Sequence, residues 1–413
     1  MIFYATATLL ACLAAWRASR DPQHRLVWML LSAMPLTLLA AARWGLGTDV
    51  DFTYFPVFRA LQWVRGGESE ELAYELFLPL KQGLRHAWFL RTPFEAALNF
   101  RRILGNMEPA YRAILEAVVW CGGDFRWVTV VTSLITSAFV FTAIWRQSRS
   151  PVLAIYFYVA TSNYFLGLNI VRQYIAIGFV LVAIPFITDR RPWRYLLCIG
   201  CAALFHRTAL ILLPCWLLTF VKIRPIWGFA AVAFAFVTSF VVSDVFRVVL
   251  PCLGFGHYVR YFDLHFAEDG FEGFFFAINL CFMALSVWYW DRVNRDCRYF
   301  RVWYWMTVLG TVALAYSGFV PLMKRVNFYF AAPQFLMLPE LLLSEECPRR
   351  RRLLTILAVL AFALETLVAV CLLNKNEPLP YRVKPYWYQR EESGAPVPMP
   401  PLTWQERFRK IMF

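Results

Sequence analysis

Two short polar interruptions in otherwise apolar sequence carry the residues best suited to chemistry. Arg172-Gln173 stands at the start of one apolar run, and His206-Arg207 stands inside the next. Arginine and histidine are costly beside lipid, so they normally face a bundle interior or a water-filled cavity. If the basic turn between the runs, residues 189–194, is cytoplasmic, both interruptions reach the opposite side of the membrane. The spacing therefore predicts two cationic clusters near one membrane face, where they could bind an anionic head group.

Each of these residues also has an ordinary explanation that stays open. Arg172 could pair bidentately with a phosphate, or extend as an anchor to the membrane surface. His206 could take part in chemistry, or be a buried structural histidine with satisfied hydrogen bonds. Lys324 and Arg325, which precede the eleventh apolar run, could add to the cationic patch or only anchor that run.

A pair of carboxylates follows the second apolar run. The segment GLGTDVDFTY, residues 45–54, places Asp49 and Asp51 in a turn beside aromatic residues. One of them could act as a general base toward a sugar hydroxyl, and both could equally be turn residues that cap a helix. Glu365 lies in the last apolar run and is left outside the catalytic set, because an intramembrane acid can simply pair with an arginine.

The composition is that of a membrane protein. Of 413 residues, 60% are hydrophobic and 16% charged, whereas soluble domains are near a quarter charged. The net charge of +14 resides mostly in short turns between apolar runs, which is typical of membrane topology and argues against nucleic acid as a partner. The ten cysteines, including the pair Cys198 and Cys201, are predicted to pack helices rather than to bind metal or exchange electrons.

These features predict an all-α fold, a polytopic membrane helical bundle of about twelve spans over residues 1–373. The apolar runs lie at 2–16, 26–42, 127–145, 152–168, 174–188, 195–205, 208–221, 226–243, 274–290, 302–319, 327–343 and 353–373. The two runs that flank His206 are short, so they could be two helices or one broken element.

Three segments are expected outside the membrane. A large outer loop, residues 43–126, separates the second and third spans; within it, residues 107–122 predict a helix that begins near a proline and ends at glycine. Residues 84–104 mix aromatic residues with arginine, which fits an interfacial helix or a solvated face. Residues 244–273 form a second outer loop, and residues 374–413 a polar, proline-rich tail.

The charges in the turns predict the orientation. Alternate turns hold eighteen Lys and Arg residues, and the short turns between them hold far fewer. Because positive charge stays inside, we expect the eighteen in the cytoplasm and both termini outside. Arg172, His206 and Lys324-Arg325 then lie at the outer face.

Several stretches resemble a known family. NIVRQYIAIGFVL followed by ALFHRTALILLP is similar to the EpsG family of exopolysaccharide-synthesis proteins, which are Wzy-type polymerases of bacterial envelopes. Three further stretches fit in order: RWGLGTDVDFTYF at 43–55, MEPAYRAILEAVVWCGGDFRWVTVVTSLI at 107–135 and KRVNFYFAAPQFLMLP at 324–339. The resemblance extends over most of residues 1–373. The segment at 66–105 is longer than the family pattern leads us to expect.

The resemblance implies a polymerase of the bacterial plasma membrane that makes exopolysaccharide, capsule or O-antigen. It would transfer a growing glycan from a polyprenyl carrier, such as undecaprenyl diphosphate, onto a new lipid-linked repeat unit, without metal or cofactor. The expected partners are the polyprenyl-diphosphate-linked oligosaccharide and the lipid bilayer. A chain-length regulator and a flippase of the same pathway are candidate partners.

Carried over residue by residue, the resemblance implicates Asp49, Arg172, Gln173, His206 and Arg325. We predict that Asp49, Arg172 and His206 are catalytic. The predicted substrate-binding residues are Arg43, Asp51, Tyr54, Gln173, Arg207, Lys324 and Arg325. Arg172, Arg207 and Arg325 are expected to converge on one outward-facing pocket and hold the diphosphate. Arg207 follows the histidine of the FH motif and adds charge beyond the family pattern.

Three other activities stay open. A flippase for lipid-linked oligosaccharide would need a positively lined cavity reachable from both faces. A glycosyltransferase that uses a polyprenyl-phosphate sugar would need an acid pair in the first outer loop, which Asp49 and Asp51 could supply. A ligase that moves finished glycan onto another acceptor is a close variant of the polymerase.

Overall fold

In the computed structural model the chain is helical throughout the part described, which comprises residues 1–43, 54–66, 104–105, 107–252, 273–318, 320, 323–372, 378 and 381. The helices are α1 (Ile2–Arg20), α2 (Arg25–Ala42), α3 (Phe55–Arg65), α4 (Pro109–Trp120), α5 (Phe125–Gln147), α6 (Pro151–Ala160), α7 (Asn163–Asn169), α8 (Val171–Thr188), α9 (Pro192–Phe205), a 3₁₀ helix (Arg207–Phe220), α10 (Trp227–Cys252), α11 (Gly273–Trp288), α12 (Trp290–Asp296), α13 (Phe300–Tyr316), α14 (Met323–Ala331), α15 (Gln334–Leu343), α16 (Pro348–Leu367) and a π-helical turn (Val368–Leu372). The predicted all-α fold is confirmed.

Each predicted apolar run coincides with a helix or a bent pair of helices. Among the described residues, five helices are long and apolar enough to cross a bilayer, and the number rises to eight if each bent pair is one span. The bent pairs are α6–α7 (54°), α11–α12 (79°) and α14–α15 (42°). A multi-pass membrane protein is therefore confirmed, but about twelve spans are not. Helix α9 and the 3₁₀ helix have only 14 residues each, fewer than the roughly 20 of a usual span.

The chain divides into two compact units. Unit 1 comprises residues 1–138, 159–175 and 362–413, and unit 2 comprises residues 139–158 and 176–361. In unit 1, α1 and α2 pack as a hairpin. The buried seam of α1 consists largely of alanines, including Ala7, Ala11 and Ala15, and such small residues let helix backbones approach closely in a membrane.

Helix α4 confirms the predicted helix at 107–122. Pro109 occupies its first turn, and Glu108 precedes it in extended backbone conformation. Gly122 has φ +70°, a left-handed conformation that glycine adopts without steric cost. Helix α4 packs against α3. Residues 84–103 of the predicted interfacial helix lie outside the described residues, as does nearly all of the C-terminal tail. The second outer loop was predicted to begin at residue 244, but helix α10 continues to Cys252; residues 253–272 lie outside the described residues.

Unit 2 is built around α13, in which 13 of 17 residues are buried. This helix packs against α10, α11 and α14. Beside it, a chain of buried amides links three helices: Gln334 Nε2 donates to Asn279 Oδ1 at 2.8 Å, and Asn279 Nδ2 donates to Asn327 Oδ1 at 3.4 Å. Such a network fixes the register of the helices that carry it, because an unpaired amide would be costly there.

Gly310 of α13 provides a test of this packing. A Cβ at residue 310 would lie 2.7 Å from Asn327 Oδ1 and 3.0 Å from Phe330 Cβ, so Gly310→Ala forces α14 or the amide chain to shift. We expect a loss of about 1–3 kcal/mol, seen as a lower midpoint of thermal denaturation of the purified protein in detergent.

Gly200→Ala is the matched control. A Cβ at this position in α9 meets no described heavy atom within 4 Å, and alanine has the higher helix propensity. The midpoint should therefore stay the same or rise. Equal midpoints for Gly310→Ala and Gly200→Ala would contradict the packing described for α13.

Two ion pairs of Arg149 join three parts of unit 2. Glu340 in α15 is fully buried, and it accepts hydrogen bonds from the Arg149 backbone N–H, at 2.8 Å, and from Arg149 Nε. Arg149 Nη1 also donates to Asp296 at 2.8 Å. Arg149 thus ties the turn between α5 and α6 to α12 and α15.

Candidate functional site

In unit 1, the start of α8 places Arg172 in a buried, polar environment. Arg172 Nη1 donates to Glu108 Oε2 at 2.5 Å, and Arg172 Nε donates to Tyr54 Oη at 3.2 Å. The two charged side chains are 18% and 7% exposed, respectively. The guanidinium also lies 5.2 Å from the centre of the Tyr54 ring. An ion pair this buried, with a second hydrogen bond and a ring against it, holds the arginine in one orientation.

Aromatic rings and a second arginine extend this cluster. The rings of Tyr54 and Tyr111 lie 4.8 Å apart, and Tyr111 is within electrostatic range of both Arg43 and Arg172. Arg43 is buried, and its Nη1 donates to Ala40 O at 2.7 Å and to Ser133 Oγ at 3.1 Å. Gln173 is buried next to Arg172. Four of the predicted residues, Arg43, Tyr54, Arg172 and Gln173, therefore lie in unit 1.

Glu108 is the functional candidate that the sequence analysis missed. Glu108 directly precedes Pro109, so the start of helix α4 is already a sufficient reason for a residue of this type. Its partner Arg172 lies 64 residues away in the chain. The one available signal was the EP dipeptide within a stretch that resembles the family. Asp49 and Asp51 lie outside the described residues.

In unit 2, His206 lies at the tip of a helical hairpin. Helix α9 ends at Phe205 and the 3₁₀ helix begins at Arg207. The two pack together, with the Tyr195 hydroxyl donating to the carbonyl of Leu212. Of the two alternatives left open by the sequence, the structure shows two short helices that meet at His206.

The 3₁₀ helix is exceptionally long for its class. It has 14 residues, and its buried positions are Ala209, Leu212, Cys215 and Leu218. This spacing of three matches the 3.0 residues per turn of a 3₁₀ helix. With a rise of about 2.0 Å per residue, the segment is about 28 Å long, close to the roughly 30 Å hydrocarbon core of a bilayer. Arg207 therefore stands at one end of an apolar element long enough to cross most of a membrane.

Helix α14 brings further polar groups to His206. The His206 ring is stacked on Tyr329, with centres 6.5 Å apart and planes at 19°. Thr208 Oγ1 lies 3.3 Å from Tyr329 Oη. Arg325 precedes Tyr329 by four residues, so the two share a face of α14. His206, Arg207, Lys324 and Arg325 thus belong to unit 2. The hairpin tip meets α14 at Tyr329, in the last turn of that helix.

Apart from Arg43, which follows the end of α2, the cations of the two clusters share a position in their helices. Arg172 is the second residue of α8, Arg207 is the first residue of the 3₁₀ helix, and Lys324 and Arg325 lie in the first turn of α14. The positive end of a helix dipole disfavours a cation and favours an anion. Cations placed there add to the positive potential, at a cost in helix stability. This arrangement suits anionic ligands in each unit.

The predicted convergence of Arg172 with His206 and Arg325 on one pocket stays a prediction, because these residues belong to different units. Within the part of the chain that the structure describes, no group of three or more His, Cys, Asp or Glu side chains is arranged to hold a metal ion.

Comparison with known proteins identifies the family. The model of the EpsG family matches residues 26–386. No curated protein and no solved structure matches the chain. The matched range contains every residue of both clusters, and with them all the stretches whose resemblance was noted in the sequence. Because the match covers nearly the whole chain, this multi-pass membrane protein belongs to the EpsG family.

Proposed function

We propose that the chain is a polymerase that joins polyprenyl-diphosphate-linked oligosaccharide repeat units into surface polysaccharide on the outer face of the bacterial plasma membrane. Membership of the EpsG family implies a membrane polymerase-type protein of polysaccharide biosynthesis. The observation that carries the proposal is the cluster in unit 2. The ring of His206 stacks on Tyr329; Arg207 follows His206 at the start of the 3₁₀ helix, and Arg325 lies one turn before Tyr329 in α14.

The leaving group determines what this cluster must do. In the proposed reaction, the bond between the anomeric carbon of the growing glycan and its lipid diphosphate breaks, and negative charge develops on the phosphate oxygens. Arg207, Lys324 and Arg325 would stabilise that charge, with the positive ends of two helices adding to the effect. Charges that are already in place need no reorganisation as the reaction proceeds.

The attacking group is a hydroxyl of the lipid-linked acceptor unit. Its oxygen forms the new bond to the anomeric carbon, and its proton passes to a general base. We assign this base to His206, which is half-buried at the hairpin tip, with Asp49 as the second candidate. The diphosphate departs with its polyprenyl carrier, so atoms and charge balance without metal or cofactor.

In unit 1 we assign Arg172, Gln173 and Tyr54 to binding of the lipid-linked substrate. Glu108 and Tyr54 hold the Arg172 guanidinium in place, and a side chain oriented in advance loses less entropy on binding. The ring of Tyr54, next to that of Tyr111, is suited to packing against a sugar face.

The proposal includes a topology of twelve spans with both termini outside. Each predicted apolar run is a helix or a bent pair, and the eighteen Lys and Arg residues of alternate turns would then all face the cytoplasm. In this topology the helix starts that carry Arg172, Arg207 and Lys324 open to the outside, where a flippase delivers repeat units and a chain-length regulator can act.

Reconstitution of the purified protein with synthetic lipid-diphosphate repeat units tests the function directly. We expect glycans of two or more units, detected by mass spectrometry, in liposomes that contain the protein and in none that lack it. Movement of repeat units across the bilayer without new glycosidic bonds would instead indicate a flippase. Transfer only to a different acceptor would indicate a ligase, and dependence on a polyprenyl-phosphate sugar would indicate the other glycosyltransferase class.

A further inference from the structure

The charge of Arg172 is largely taken up within the protein. Its guanidinium is 2.5 Å from the Glu108 carboxylate, and both side chains are mostly buried. An arginine in such a pair is already neutralised, so it attracts a ligand anion less strongly than a cation without a carboxylate partner does. Unit 1 contains a second arginine in a different situation.

Arg43 is 5% exposed, yet among the described residues its hydrogen bonds go only to neutral groups. Both come from Nη1, one to the carbonyl of Ala40 and one to the hydroxyl of Ser133. Ala40 lies in the last turn of α2, whose dipole offers roughly half an elementary negative charge. Within the described part of the chain no carboxylate bonds to Arg43, and the helix dipole offsets its charge only in part. A cation in so buried a setting is costly.

The phenols around Arg43 do not supply the missing charge. Tyr164 and Tyr381 donate their hydroxyls to the carbonyls of Leu36 and Leu39, at 2.9 and 2.8 Å, and so help to cap α2. Burial raises the pKa of Tyr381, even though Arg43 acts to lower it. Its phenol stays neutral at physiological pH. These phenols therefore leave the charge of Arg43 in place.

We infer that Arg43 binds an oxyanion of the lipid-linked substrate in unit 1, so that this buried guanidinium, and not Arg172, is the main anion-binding group there. The inference rests on the proposed function for the identity of the substrate. The oxyanion is either a phosphate of the polyprenyl carrier or the carboxylate of an acidic sugar. Both are acceptors that a guanidinium binds through two parallel hydrogen bonds.

The test measures binding without turnover. The purified protein is titrated with geranyl diphosphate and with methyl glucuronide, and the neutral compounds geraniol and methyl glucoside serve as ligand controls. Affinity is obtained from the rise in the thermal denaturation midpoint. Every protein in this test, including the parent, also carries Lys324→Gln and Arg325→Gln, which remove the cations of α14 in unit 2.

Arg43→Gln is the informative variant, because glutamine can still donate to Ala40 and Ser133 but carries no charge. We expect it to bind the anion about 10- to 100-fold more weakly. Arg112→Gln, which removes an exposed arginine of α4, should bind as the parent does. If Arg43→Gln does not fold, Arg43→Lys is used in its place. Lysine keeps the charge but cannot form the two parallel hydrogen bonds, so we expect the affinity for the anion to fall at least threefold.

The outcomes separate the possibilities. Saturable binding of geranyl diphosphate identifies the anion as carrier phosphate, and binding of the glucuronide alone identifies it as a sugar acid. Unchanged affinity in the Arg43 variants, with only a lower midpoint, would show that Arg43 merely caps α2 and would overturn the inference. If the protein with Lys324 and Arg325 intact binds the anion but makes no polymer from lipid-diphosphate repeat units, the proposed function is overturned instead.

Discussion

Arg172→Gln should reduce polymer formation by about 10²-fold and leave single repeat units on the lipid carrier, because it removes a side chain that positions the lipid-linked substrate. The same change removes one partner of a buried ion pair, because Glu108 is only 7% exposed. Removing one member of such a pair costs about 3–5 kcal/mol. Loss of polymer in the single variant therefore has two explanations, one catalytic and one structural.

The double variant Arg172→Gln with Glu108→Gln distinguishes the catalytic explanation from the structural one. It removes both charges together, so most of the stability lost in either single variant should return. If Arg172 serves the reaction, polymer formation stays low although the thermal midpoint recovers. Polymer of normal length and yield from the double variant would show instead that the pair only supports the fold, and would remove Arg172 from the site.

The pair Arg112 and Glu116 is a suitable control for this experiment. It is also an Arg–Glu pair in unit 1, with Nε and Oε1 2.6 Å apart, but its side chains are 42% and 45% exposed. Exposed pairs contribute little to stability. Replacing both residues with glutamine should leave the midpoint and polymer formation near those of the parent.

The helices were predictable from the sequence because their signals are local. Apolar runs, turn charges and the proline and glycine that bound α4 each lie within a few residues of the structure they specify. The number of membrane spans was harder to predict, because it depends on the type of helix that each apolar run forms. Run length does not reveal that the segment after His206 forms a 3₁₀ helix, which covers more distance per residue. The spacing of Ala209, Leu212, Cys215 and Leu218 was a signal of period three, although apolar residues on all faces obscured it.

The contacts between the site residues could not be predicted, because they join residues that are far apart in the sequence. His206 meets Tyr329, and Arg172 meets Glu108, across long stretches of chain whose packing no local pattern encodes. In each case the sequence identified one member, since arginine or histidine within an apolar run is conspicuous. The other member had a sufficient ordinary explanation: Glu108 as a helix entry and Tyr329 as an aromatic residue near a membrane surface.

His206 offers the other large expected effect. His206→Phe keeps a flat ring of similar size against Tyr329, so the stacking seen at 6.5 Å and the meeting of the hairpin tip with α14 should persist. A phenyl ring cannot accept a proton. If His206 is the general base, polymer formation should fall about 10²- to 10⁴-fold while the thermal midpoint stays close to that of the parent. His206→Ala should lose both the activity and some stability, because it also removes the ring.

Two further variants fix the interpretation of His206. Tyr329→Phe keeps the stacked ring but removes the hydroxyl 3.3 Å from Thr208 Oγ1, so a small change in rate is expected. His24→Phe alters an exposed histidine in the turn between α1 and α2, where it lies 3.2 Å from Asp21, and should not affect polymer formation. A parental rate for His206→Phe would show that the histidine only packs against Tyr329, and the role of base would then fall to Asp49.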